Sequence, residues 1–192
     1  MITISLDTNF VIPRMLYKKD KTRYNLLDTM ILLQKRGLVK ICLPEATQAE
    51  IYAVLRAGRY PIKVNGKKEH CPFPHHIILK LADQFSEIFN IEFLEKFKTT
   101  NFGLGDAYKT VLFDNMRFIL GMNIEQSKQF VLNRGIHLEK CSDKYDYHIM
   151  VSVFKCNADY LVTLNTRDFP TFLGKCEIIN TEKLLTVLPN YP

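Results

Sequence analysis

The sequence predicts an α/β fold: a three-layer α-β-α sandwich around a central, mainly parallel sheet, with a helical insertion in the middle of the chain. Three observations carry that expectation. A β-branched run ends at Asp7, strand-like and helix-like patterns alternate from there to Gly58, and the alternation returns from Asp146 to the end. Strands that alternate with helices need crossover connections, which produce a parallel sheet covered by helices on its faces.

Ile2, Ile4 and Leu6 alternate with Thr3 and Ser5, the period-two pattern of a strand ending at Asp7. Leu26, Leu27, Met30, Ile31 and Leu33 recur at helical spacing until Gly37, a stop signal. Val39 to Leu43 reads as a second strand. Pro44 then opens a helix with Ile51, Val54 and Leu55 on one face and Gly58 just past its end. From Tyr60 to about Leu138 the pattern reads as helical segments joined by polar turns. Pro72 and Pro74 precede a periodic run from His75 to Phe89, and further helices are expected at Ala107 to Leu120 and Ile124 to Leu132. This middle stretch, 60–138, is read as an insertion or cap within a single domain spanning 1–192, because neither of its edges has the composition of a linker. A helix from Asp146 to Asn157, strands at Tyr160 to Thr163 and Glu177 to Ile179, and a helix at Thr181 to Leu188 complete the prediction.

An apolar fraction of 47% with 24% charged residues, in 192 residues, suits an ordinary globular core and argues against disorder. No apolar run approaches the roughly 20 residues needed to span a bilayer. The start, Met1 to Leu6, has no basic region and no cleavable apolar segment. A cytoplasmic protein with no membrane partner is expected. The five cysteines are odd in number and contain no Cys-x-x-Cys pair, which suits reduced thiols better than disulfides or structural zinc. Lys and Arg outnumber Asp and Glu by 26 to 20, and this basic balance favours a polyanionic partner such as RNA.

In open parallel sheets ligands collect beyond the carboxyl ends of the strands. Asp7 sits at such a point, as do Thr163 and Asn165, while Glu50 and Asp146 lie in helices flanking such strands. Carboxylates arriving from separate elements repel one another unless a cation neutralises them, and Mg²⁺ or Mn²⁺ takes oxygen ligands of this kind. Asp7, Glu50 and Asp146 are therefore the expected metal and catalytic set. Asp168 joins them as a catalytic candidate, and Asn9, Thr163 and Asn165 are candidates for orienting water or substrate through neutral hydrogen bonds.

Each candidate has a plainer explanation. Asp7 could cap a turn with Asn9, and Asp146 could simply complement the dipole of its helix. Thr47-Gln48-Ala49-Glu50 satisfies a capping box, although Pro44 starts the helix too early for it; Glu45 is the substitute acid. Asp143 and Asp168 could be solvated loop residues. The cluster His70, Cys71, His75 and His76 lacks zinc-finger spacing. Lys18, Lys19, Lys21 and Arg23, flanked by Tyr17 and Tyr24, combine charge and stacking surface as RNA binders do, and Lys63, Lys67 and Lys68 add a second basic group; both also read as solvated loops.

Several blocks resemble the PIN-domain family. Ile4-Ser5-Leu6-Asp7-Thr8-Asn9-Phe10-Val11-Ile12 is similar to its opening strand and turn. Leu43-Pro44-Glu45-Ala46-Thr47-Gln48-Ala49-Glu50-Ile51 is similar to the helix that supplies its second acid. Asp146-Tyr147-His148-Ile149, followed by Ala158-Asp159-Tyr160-Leu161-Val162-Thr163-Leu164-Asn165-Thr166-Arg167-Asp168-Phe169, resembles its third acid, last core strand and terminal acidic motif. The resemblance implies a Mg²⁺- or Mn²⁺-dependent endoribonuclease acting on single-stranded or structured RNA, in many relatives the toxin of a toxin-antitoxin pair, with an antitoxin protein and a homodimer among its associations. Asn165 stands where many relatives carry a fourth acid, which keeps open a PIN-fold module that binds RNA or protein without cutting. A phosphatase that forms an aspartyl phosphate on Asp7 would need a second Asp two residues on, where this chain has Asn9.

Overall fold

A strand at the centre of a parallel sheet is covered on both faces, so polar and apolar positions alike become buried. In the computed structural model, which describes residues 1–16, 21–89, 121–123, 125–126, 129, 132–133 and 146–189, β1 (Ile2–Leu6) meets that condition. Ile4, Ser5 and Leu6 are each fully buried. There follow α1 (Thr8–Leu16), α2 (Lys21–Lys35), β2 (Val39–Cys42), α3 (Glu45–Arg56), β3 (Pro61–Val64), β4 (Lys67–His70) and α4 (His75–Phe89). After the middle of the chain come α5 (Tyr147–Cys156), β5 (Tyr160–Val162), a 3-10 turn (Thr166–Asp168), β6 (Phe172–Leu173), β7 (Cys176–Ile179) and α6 (Thr181–Val187).

The fold is mixed α/β with a mostly parallel central sheet, in the order β2-β1-β5-β7-β6. β1 pairs in parallel with β2 and β5, β5 pairs in parallel with β7, and the two-residue β6 runs antiparallel to β7 at the edge. Residues far apart in sequence thus share one sheet. One apolar cluster joins them: Leu6 of β1, Leu33 of α2, Leu55 of α3, Phe85 of α4, Val153 of α5 and Leu161 of β5 all belong to it. Among the described residues no helix is long and apolar enough to cross a membrane.

Strand order places the site. The chain passes from β1 to β2 on one side and later returns to β5 on the other, so the connections diverge at the carboxyl end of β1. This is a topological switch point, where open α/β sheets form their crevice. Asn157 ends α5 in the left-handed region (φ 51°), and Asp159 N then donates to Thr3 O at 2.8 Å. The C-terminal end of α5 therefore lies by the start of β1. Its N-terminal end lies about 15 Å further along for ten residues.

Two expectations are corrected. Residues 61–70, read as part of a helical insertion, form an antiparallel hairpin with Pro61 opposite His70 and Val64 opposite Lys67. The overlooked signal was Asn65-Gly66, both at positive φ (50° and 82°), the pair that a two-residue hairpin turn of type I′ requires. The stretch after Asp7, read as a turn, is the nine-residue α1. Its Phe10-Val11-Ile12 run has poor intrinsic helix propensity, and burial of all three side chains with Met15 overrides it. The helix from His75 to Phe89 matches its prediction. Glu125, Gln126, Gln129 and Leu132 are helical as expected, while the expected Ala107 to Leu120 helix lies outside the described residues.

Asp159, just before β5, ties β1 to the turn that precedes β7. Its carboxylate accepts from Thr3 N at 2.8 Å and from Lys175 Nζ at 3.0 Å. The hydrogen bond from Thr3 chiefly, with the Lys175 ammonium, holds its pKa below the usual carboxylate value against partial burial. A folded carboxyl that titrates below its unfolded value stabilises fully above the ordinary carboxylate range and loses that contribution as pH falls through the lowered value. Asp159→Ala should lower the melting temperature at pH 7 by about 2–4 °C, a loss of about 1 kcal/mol after solvent screening, with the gap to wild type narrowing in acid.

Cys42, Cys71, Cys156 and Cys176 are free thiols, and Cys141 lies outside the described residues. A hydrogen bond with Cys156 lowers the Cys42 thiol to about 7, helped by Lys40 and opposed by burial. Burial chiefly pushes Cys176 up to about 12. Iodoacetamide should therefore label Cys42 with a midpoint near pH 7 and leave Cys176 unlabelled, and Cys156→Ala should move the Cys42 midpoint upward.

Candidate active site

Asp7 follows β1 directly and is 3% exposed. A carboxylate so buried needs donors, and Thr163, at the end of β5, supplies one: its hydroxyl donates to Asp7 Oδ2 at 2.6 Å. The Thr163 oxygen is fully committed. With its one proton given to Asp7, it accepts from Asn9 Nδ2 and from Asn165 N, both at 3.0 Å. Asn9 Oδ1 in turn accepts from Leu164 N at 2.9 Å, which fixes the orientation of the amide. Backbone bonds lock the frame beneath, from Asp7 N to Val162 O and from Thr163 N to Ile179 O, each 3.0 Å.

Asp7, Asn9, Thr163 and Asn165 are thus joined in one network across the switch point. Asp7 does more than cap a local turn, since its bonded oxygen faces a strand reached only late in the chain. Thr163 is completely buried and its hydroxyl positions Asp7.

Glu50 arrives from the other side. α3 begins at the carboxyl end of β2 with Pro44 as its N-cap, and Glu50 lies about 7 Å along its axis. Its Oε2 accepts from Thr8 Oγ1 at 2.7 Å. Thr8 is the residue after Asp7, so this bond sets the Glu50 carboxylate beside the Asp7 turn. The capping-box alternative fails, because the helix is already under way at Thr47, whose buried hydroxyl has no hydrogen-bond partner. Sequence reasoning missed Thr8; only its position next to Asp7 could have marked it.

Asp146 occupies the N-cap of α5, and its side chain makes no capping bond there. α5 packs against α3 and β1, which places Asp146 on an element touching those that carry the other two acids. Negative charge is favoured at that helix end. Asp168 closes the 3-10 turn, where Asn165 Nδ2 donates to its Oδ2. A cavity of about 310 Å³ opens beside this turn, between Thr166, Thr171, Ile179 and Lys183. None of the candidate acids lines it.

The donor set is all hard oxygen, which fits Mg²⁺ or Mn²⁺ and not a thiophilic metal. Among the described residues no three His, Cys, Asp or Glu side chains close into a ready cage. The acids stand instead in hydrogen-bonded pairs, Asp7 with Thr163 and Glu50 with Thr8. His70 Nδ1 bonds Gly58 O at 3.2 Å and His75 Nδ1 bonds the Tyr52 hydroxyl at 2.5 Å, so the histidine cluster is engaged in local structure. Lys18, Lys19, Tyr17 and Asp143 lie outside the described residues; for Lys21, Arg23, Tyr24 and Glu45 the described part is the helical backbone.

No family model, curated protein or solved structure matches the chain.

Thr163→Val keeps the shape and removes the hydroxyl, leaving the Asp7 carboxylate and the Asn9 amide each short of a partner. The expected loss is ~1–3 kcal/mol in urea denaturation with an unchanged m-value.

Proposed function

We propose that this chain is a PIN-like, Mg²⁺- or Mn²⁺-dependent endoribonuclease on a three-layer α-β-α sandwich. It would hydrolyse RNA phosphodiester bonds with no covalent protein intermediate. One observation supports the reading: Asp7 and Glu50, far apart in sequence, are drawn to the same turn at the switch point by hydrogen bonds from Thr163 and Thr8, and Asp146 caps a helix that packs against α3 and β1. Mutual repulsion makes such a cluster costly unless a cation is bound, and a basic surface suits a polyanionic substrate.

When bound, a divalent ion supplies Lewis acidity and lowers the pKa of a coordinated water at the phosphodiester. The chain's own groups do the positioning. The Thr163 hydroxyl orients Asp7, Thr8 orients Glu50, and Asp146 stands at the N-cap of α5. Asn9 bonds Thr163 and Leu164 N, and Asn165 bonds Thr163 through its backbone and Asp168 through its amide. A toxin role, with an antitoxin protein and a homodimer as associations, is the part of the proposal that rests on the family resemblance alone.

A second reading, a PIN-fold module that binds RNA or protein without cleaving, draws support from Asn165. That residue stands where a fourth acid is expected, and its amide ties down Asp168. Labelled RNA incubated with Mg²⁺ or Mn²⁺ separates the two. Cleavage should stop with EDTA and fall at least ~100-fold in Asp7→Asn or Glu50→Gln, the scale of losing one electrostatic stabiliser. Intact RNA, together with Mn²⁺ calorimetry that Asp7→Asn leaves unchanged, would decide for the non-cleaving module.

A further inference from the structure

The β3–β4 hairpin forms a sheet of its own, apart from the five-stranded one. Its register opposes Lys63 to Lys68 and Val64 to Lys67 around the Asn65-Gly66 turn. Every residue of β4 is exposed. From Arg59 to His70 there are four Lys and Arg residues and a single acid, Glu69, opposite Ile62. No salt bridge among the described residues engages Lys67 or Lys68.

As a device for stability this arrangement is poor. Like charges at directly opposed positions destabilise a ladder, and an isolated two-stranded ribbon is marginal in water. Its base, by contrast, is firmly held. Phe73 N donates to Leu55 O at 3.0 Å, and His70 Nδ1 meets Gly58 O. Gly58 stands at φ +64°, where a Cβ would come within 2.7 Å of Pro72 N, so the two ends of the hairpin close tightly on the end of α3. A clamped base under a cationic tip is what binding to a polyanion requires.

We infer that the β3–β4 hairpin is an electrostatic arm that grips the sugar–phosphate backbone of single-stranded RNA through Lys67 and Lys68, with Lys63 at the opposed position. The choice of RNA as ligand rests on the nuclease reading proposed above. A lipid surface is the poorer partner, because Asn65-Gly66-Lys67-Lys68 offers no apolar side chain for insertion.

Binding of a labelled oligouridylate by the full chain, measured in EDTA over a KCl series, tests this without cleavage. Lys67→Ala/Lys68→Ala should weaken binding several-fold at low salt and flatten the slope of log Kd against log salt by about 1.4, at about 0.7 for each phosphate no longer neutralised. Lys35→Ala/Lys80→Ala removes two exposed lysines elsewhere and should leave that slope unchanged. Circular dichroism melting confirms that each variant is folded. A wild-type slope in the hairpin variant, an equal loss in the control, or binding to phosphatidylserine vesicles in place of RNA would overturn the arm. Cleavage that persists beside an unchanged slope sinks the arm alone. Retained binding with no cleavage sinks the nuclease alone.

Discussion

One hydroxyl proton organises this molecule's candidate site. Thr163 Oγ1 has a single hydrogen, and it goes to the buried carboxylate of Asp7, while both lone pairs are filled by Asn9 and by the backbone of Asn165. Because every valence is used, the group has one arrangement, and Asp7 is held in one rotamer by a strand reached only late in the chain. The bond also crosses the point where the sheet's connections diverge, the place in such folds where a crevice opens.

The rest of the site is built outward from that constraint. Thr8, the first residue of α1, takes hold of Glu50 and so couples α3 to the same turn. α5 brings Asp146 by running back along the sheet from an end pinned by Asp159, whose carboxylate joins β1 to the loop before β7. Asp159 accepts from a backbone N–H and an ammonium, and Asp7 and Glu50 each accept from a threonine hydroxyl that orients the carboxylate.

Much of this was legible in the residues. Alternation in Ile2 to Leu6, the Pro44 start of α3 and the periodic run from His75 to Phe89 report local physics, in which side-chain spacing follows the backbone repeat. α1 was illegible because its Phe10-Val11-Ile12 run opposes helix formation locally and is rescued only by a core assembled from elsewhere. The β3–β4 hairpin was hidden for another reason: a two-residue turn signal was outweighed by the helical look of the segments after it.

By itself the sequence determined which segments pair their apolar faces with a core, and that Asp7 and Asp146 fall at element boundaries while Glu50 lies within a helix, since all follow from short-range periodicity and turn chemistry. Only the tertiary structure decided that β5 would lie against β1, that Thr163 would face Asp7, and that Thr8 would reach Glu50. These are long-range pairings, set by strand order, and no local spacing of residues encodes a hydrogen bond between positions 7 and 163.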